Sequence, residues 1–223
     1  MVKAVSAPAV LTISSRNYSS WSLRGWLLCK MSGIDFIEKI VPIDDPSVRA
    51  ELLMLTPSFL VPCLEHDGVL VWDALAIADY LAETFPAAGL LPTDRAARAH
   101  CRSICGEMHQ GFFNLRSALP MNLHARHPGF KVWQGARHDI DRIIAIWRDC
   151  LDRYGGPYLF GAQMTMADAM FAPVCARFYS YDVALDRKEA AYVEKIRAWP
   201  AMIEWTAAAM TEPDNFKELE AEF

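Results

Sequence analysis

One change of hydrophobic periodicity, near Phe85-Pro86, constrains this chain most. Before it, short β-rich runs alternate with helical patterns; after it, only helical patterns continue. Residues 10–14 open as a strand. Beyond Ser15-Arg16-Asn17-Tyr18, the residues Leu23, Trp26, Leu27 and Met31 share one helical face, and Gly33 follows where a left-handed cap belongs. Residues 36–41 resume strand character. Asp45-Pro46-Ser47 opens a short helix through Leu53, closed at Thr56-Pro57 because the residue before proline is steered out of the α region. Two further strand runs, 62–65 and 69–71, flank the hairpin signal His66-Asp67-Gly68. Ala74, Ile77, Ala78 and Leu81 then mark the buried face of another helix. The order is β-α-β-α-β-β-α.

Past this point residues 87–94, with Gly89 and Pro92, have linker composition. Residues 95–119 read as one long helix closed by Pro120. Stripes from Ile140 to Tyr154 and from Ala167 to Phe178 mark two more, and a last short helix begins at Pro200. The expectation is an α/β domain at 1–86, a linker at 87–94 and an all-α domain of about five helices at 95–223. A chain of 223 residues can bury two modest cores of this kind. With 22 basic against 27 acidic side chains, nothing draws it to a polyanion, so no nucleic acid is expected as partner. No apolar run reaches the roughly 18 to 20 residues of a membrane helix, and the start lacks the apolar core of a secretion signal. The expected location is cytoplasmic, with no membrane partner. The 6 cysteines form no CxxC pair and read as reduced core thiols rather than metal ligands or a redox centre.

Three short motifs carry more. In Leu60-Val61-Pro62 the proline stands at the entry to a strand, where its missing N–H is tolerated. Base rates favour a trans bond by roughly ten to one; a cis bond would turn the backbone groups of Val61 outward, toward a peptide added as an extra strand. Asp73, at a helix start, is first a cap, and secondarily a carboxylate able to receive an ammonium group. Thr165-Met166-Ala167-Asp168 is a variant capping box, so Asp168 is expected to matter for folding rather than chemistry.

Together these residues resemble the cytosolic glutathione S-transferase family over essentially the whole chain. Residues 57–64, Pro-Ser-Phe-Leu-Val-Pro-Cys-Leu, look like the family's Pro-x-x-x-Val-Pro-x-Leu segment. Residues 73–81 look like its Glu-Ser-x-Ala-Ile-x-x-Tyr-Leu segment, and Thr165 to Asp168 match its Thr-x-Ala-Asp box. The resemblance is to the serine-type, zeta-like members. It implies a thioredoxin-like first domain, an all-α second domain, a homodimer, and glutathione as co-substrate bound near Val61, Pro62, Asp73 and Ala74. The implied activity is attack of the glutathione thiolate on a small electrophilic substrate, or isomerisation of one. A non-catalytic binding or regulatory protein of the same fold is the alternative.

A free thiol has a pKa of about 8.5, and a hydrogen bond to a charged acceptor contributes about 1.5 to 3 kcal/mol, so one hydroxyl donor beside a helix start ionises it near neutrality. Candidate donors are Ser19, Ser20 and Asn17, with Tyr18 behind them. Aligning Arg24 with the second arginine of the family's Arg-Val-Arg helix puts the catalytic serine's position on Asn17; a different loop length would recruit Ser19 or Ser20. Ser20 also suits a helix cap. Ala74 replaces the family's serine, removing one hydroxyl from the γ-glutamyl carboxylate and leaving the N–H groups of Ala74 and Leu75. The second substrate is expected against the first long helix of the bundle, where Glu107 and His109 read as solvated or interdomain groups, Met108, Phe112 and Phe113 as core, and Arg116 as a candidate for an acidic substrate.

Overall fold

A computed structural model describes residues 8–41 and 61–212; the short helix expected over 45–53 lies outside them. The sheet consists of β1 (Ala9–Ile13), β2 (Phe36–Ile40), β3 (Cys63–His66) and β4 (Val69–Trp72), in the order β2-β1-β3-β4. β1 pairs with β2 in parallel, and β3 is antiparallel to both β1 and β4. Asp67 and Gly68 turn the β3–β4 hairpin with positive φ at both positions, the conformation an Asp-Gly pair adopts readily. Two helices complete this unit: α1 (Ser20–Ser32), closed by Gly33 in the left-handed conformation, and α2 (Ala74–Thr84). The thioredoxin-like layout is the one expected.

Among the described residues the second half holds six α-helices: α3 (Arg95–Gln110), α4 (Phe113–Ala118), α5 (Gln134–Tyr154), α6 (Met166–Ser180), α7 (Arg187–Arg197) and α8 (Pro200–Ala209). The single helix expected over 95–119 is two. Gly111 is extended and Phe112 is left-handed, so the chain turns between α3 and α4; a Cβ on Gly111 would stand 2.8 Å from the Glu107 carbonyl. The charged helix α7, which buries only Glu189, Tyr192, Val193 and Ile196, raises the number above the expected five.

α6 is buried on every side, with only Tyr179 exposed, and forms the axis of the helical domain. α1 packs on α2 in its own domain and on α6 and α8 in the other, so one helix belongs to both cores. Its approach to β3 depends on Gly25, where a Cβ would lie 2.6 Å from the ring of Pro62. The Val61–Pro62 bond is cis, against the base rates. All 6 cysteines are free and buried, as reduced core thiols should be.

Candidate active site

The loop entering α1 is held from within and from the far end of the described chain. Ser15 Oγ accepts the N–H groups of Asn17 and Tyr18 (3.2 Å each) and donates to Glu212 Oε2 (2.8 Å). Glu212 also takes the N–H of Arg16 at 2.8 Å and that of Asn17 at 3.2 Å. Asn17, 1% exposed, accepts the N–H groups of Leu123 and His124 at its Oδ1 (2.6 and 3.2 Å). Its Nδ2 is buried with no partner among the described residues. The residue that alignment places at the catalytic serine's position thus ties this loop to the segment following α4.

Ser19, not Ser20, caps α1: its Oγ accepts the Ser22 N–H (3.3 Å) and its hydroxyl donates to Ser22 Oγ (2.8 Å). Ser20 is the first helical residue and its side chain is buried, because it sits on the face turned to the core. The cap satisfies only the third N–H of the helix, so those of Ser20 and Trp21 meet no acceptor among the described residues. Ser19 and Tyr18 remain half-buried.

Asp73 begins α2 with φ 78°, a strained value for a non-glycine residue. Its Oδ1 accepts the N–H groups of Leu75 (2.8 Å) and Ala76 (3.3 Å), so the Leu75 donor expected to serve a ligand is already taken by the cap. Its Oδ2 lies 2.5 Å from His109 Nε2, on α3 of the other domain. His109 therefore makes the interdomain contact its polarity suggested. Glu107 forms a two-pronged ion pair with Arg142 (2.6 and 2.8 Å), which holds its carboxyl below the usual range.

Trp21 lies at the seam between the domains. His109 meets its ring edge-on at 5.3 Å, and the guanidinium carbons of Arg24 and Arg116 lie 4.4 and 5.2 Å from its centre. Met108 and Phe112 are buried, as expected of core residues, but Phe113 is 64% exposed: it opens the short α4 on the outer side of the turn. Neither Trp21 nor Glu212 stands out in the sequence as a site residue, since one resembles a core aromatic and the other a surface acid.

A mixed sheet domain, an all-α domain, and an incompletely capped helix start facing their seam define the class: a two-domain protein of unlike halves joined through α1. Comparison with known proteins gives the family. The profile for the glutathione S-transferase N-terminal domain matches residues 18–84 and that for the C-terminal domain matches 122–208. Maleylacetoacetate isomerase of Rattus norvegicus is 30% identical over 76% of this chain and 78% of its own. Glutathione S-transferase 1 of Dianthus caryophyllus is 28% identical over 73% and 75%. Among solved structures, a glutathione transferase homologue from Burkholderia gl BGR1 with bound glutathione superposes with TM-score 0.68 at 24% identity, covering 93% of this chain and all of its own.

The chain belongs to the glutathione S-transferase family. It is a glutathione transferase-like enzyme with glutathione as co-substrate. The relatives named are enzymes, so the non-catalytic alternative gains no support from them.

Proposed function

We propose that the start of α1 holds glutathione as its thiolate and that the Ser19 hydroxyl donates the hydrogen bond to sulfur. The observation that carries this is the half-exposed Ser19 hydroxyl standing beside two N–H groups, of Ser20 and Trp21, with no described acceptor. A hydroxyl proton rotates freely, so the one now directed to Ser22 Oγ can turn to sulfur. Lowering a thiol pKa from about 8.5 to below 7 requires about 2 kcal/mol, and one charge-assisted hydrogen bond contributes about 1.5 to 3. Ser20 is too buried to reach a ligand, and the Asn17 amide is likewise enclosed, so both rank below Ser19 and Tyr18.

The tripeptide would lie along Val61 and Pro62, its γ-glutamyl ammonium on Asp73 and its carboxylate at the Ala74 N–H. The sulfur then attacks a small electrophile held against Trp21 and α4. A carbon–sulfur bond forms, and either a leaving group departs with its electron pair or, in reversible addition to a double bond, the adduct rotates and expels the thiolate again. The second outcome is isomerisation, the chemistry in the names of several relatives. We further propose the division 1–86, 87–94 and 95–223, action in the cytoplasm, and a homodimer that covers Val69 and Trp72, exposed on the edge strand β4. No helix among the described residues is long and apolar enough to cross a membrane.

Ser19→Ala tests the donor. The ultraviolet absorbance of bound thiolate near pH 7 should fall, with turnover of an aryl halide down about tenfold or more, while Ser20→Ala changes neither. Normal thiolate in Ser19→Ala refutes the assignment.

A further inference from the structure

The helices α3 and α5 meet through side chains at two places. One is the Glu107–Arg142 ion pair. The other surrounds His100, nearer the start of α3, where donors of three different kinds come together. One ring nitrogen of His100, one carboxylate oxygen of Asp149 and Cys150 Sγ all lie within 4.8 Å of one another. His100 Nε2 stands 3.8 Å from Asp149 Oδ2. Its Nδ1 lies 2.9 Å from the Tyr154 hydroxyl, and the rings of Tyr154 and Phe160 flank it with centres 5.8 and 5.6 Å away. A proton on Nδ1, given to Tyr154, leaves the Nε2 lone pair free on the side of Asp149. Histidines that bind metals are held in this way, by a hydrogen bond from the other ring nitrogen.

Without a cation the cluster is electrostatically unfavourable. Burial, and then the adjoining Asp149 carboxylate, push the Cys150 thiol up to about 12. A dication reverses both effects, since it attracts the carboxylate and displaces the thiol proton. It can also reach the cluster, because the side chains of His100 and Asp149 are 24% and 60% exposed.

We infer that His100, Asp149 and Cys150 bind one Zn²⁺ ion, with water as the fourth ligand. Zn–N and Zn–O distances of about 2.0 to 2.2 Å and a Zn–S distance of about 2.3 Å set tetrahedral donors about 3.3 to 3.6 Å apart. The cluster therefore closes by roughly 1 Å, a shift within reach of the exposed Asp149 side chain. As the Zn–S bond forms, the thiol proton passes to water and nothing is oxidised. Nitrogen, oxygen and sulfur together suit zinc and disfavour Mg²⁺ and Ca²⁺, which take oxygen ligands. Cysteine spacing gives no hint of the site, because two ligands are neighbours in α5 and the third belongs to α3. It lies roughly 14 Å along α3 from His109, at about 1.5 Å per residue, and is independent of the thiol-transfer reading.

The test uses the full chain, reduced, stripped of metal with a chelator, and free of glutathione, which itself binds zinc. Titration with Co²⁺ should saturate at one equivalent, with the visible bands of a tetrahedral site and a thiolate-to-cobalt band in the near ultraviolet. Zn²⁺ should abolish these bands, and a large excess of Mg²⁺ should not. Cys150→Ala should remove the near-ultraviolet band. Asp149→Asn alters only an exposed side chain and should weaken Zn²⁺ binding about tenfold or more in competition with a chromogenic chelator; Tyr154→Phe should cost about tenfold. The inference is overturned by a near-ultraviolet band that survives Cys150→Ala, by Zn²⁺ affinity unchanged in Asp149→Asn, or by displacement of cobalt with Mg²⁺.

Discussion

Asp73 and Asp168 each stand at the start of a helix, and their differences separate an open cap from a saturated one. Asp168 is fully buried, and its two oxygens accept the N–H groups of Leu159 (3.1 Å) and Thr165 (2.8 Å) and the hydroxyls of Tyr192 (3.2 Å) and Thr165 (3.3 Å). No lone pair direction remains for a ligand. Asp73 uses one oxygen for its helix and offers the other across the domain seam, from a strained backbone and with more than a third of its side chain exposed. Both match short capping signals in the sequence. What distinguishes them is whether the protein itself uses up every hydrogen-bonding direction.

Breaking the saturated cap should have the largest effect. Asp168→Ala leaves the donors of Leu159, Thr165 and Tyr192 buried and unpaired, a loss on the order of 3 kcal/mol or more in denaturant unfolding. A loss below about 1 kcal/mol would show that the network is not what holds the start of α6.

The same carboxyl gives a pH signature. Burial pushes it up to about 6 despite hydrogen bonds that pull it down. The folded form therefore binds more protons than the unfolded one between about pH 4 and 6, and stability from this group falls as pH rises through that window and is level above it. The difference in unfolding free energy between the unaltered chain and Asp168→Asn should slope across that range. A flat difference would mean the carboxyl titrates normally.

At the open cap the expected effect moves from stability to binding. Asp73→Asn keeps the acceptor for Leu75 but loses the charge, so glutathione affinity by calorimetry should drop about tenfold or more while the melting temperature hardly moves. A large fall in stability with unchanged affinity would make Asp73 a second structural cap and dissolve the contrast. The smallest effect is expected from Ala74→Ser, which adds one hydroxyl at the α2 start and should tighten glutathione binding by about 1 kcal/mol. Unchanged affinity would place the γ-glutamyl carboxylate elsewhere.

The described elements of the first domain were legible because each has a local signature: Gly33 as a helix stop, Asp67-Gly68 as a hairpin turn, and the 3.6-residue stripe of Ala74, Ile77, Ala78 and Leu81. The turn at Gly111 and Phe112 was not, since a lone glycine amid helical periodicity rarely ends a helix. The capping box at Thr165 was readable for the same local reason that Asp73 was. In the loop before α1, adjacent serines differ only in which faces the core, and a propensity for caps cannot tell Ser19 from Ser20. The contacts of Asp73 with His109, of Trp21 with Arg116, and of Glu212 with Arg16 join residues far apart in the chain, where no periodicity reports a meeting.

Glu212 carries one more consequence. The loop entering α1, proposed above to face a thiol, is clasped by a carboxylate 196 positions downstream of Arg16, so its hydrogen bonding is complete only when the second domain has docked. A fragment holding every sequence motif of the first domain would still lack that clasp. On the proposed reading, glutathione affinity is also a gauge of assembly, rising as Glu212 closes on the loop before α1.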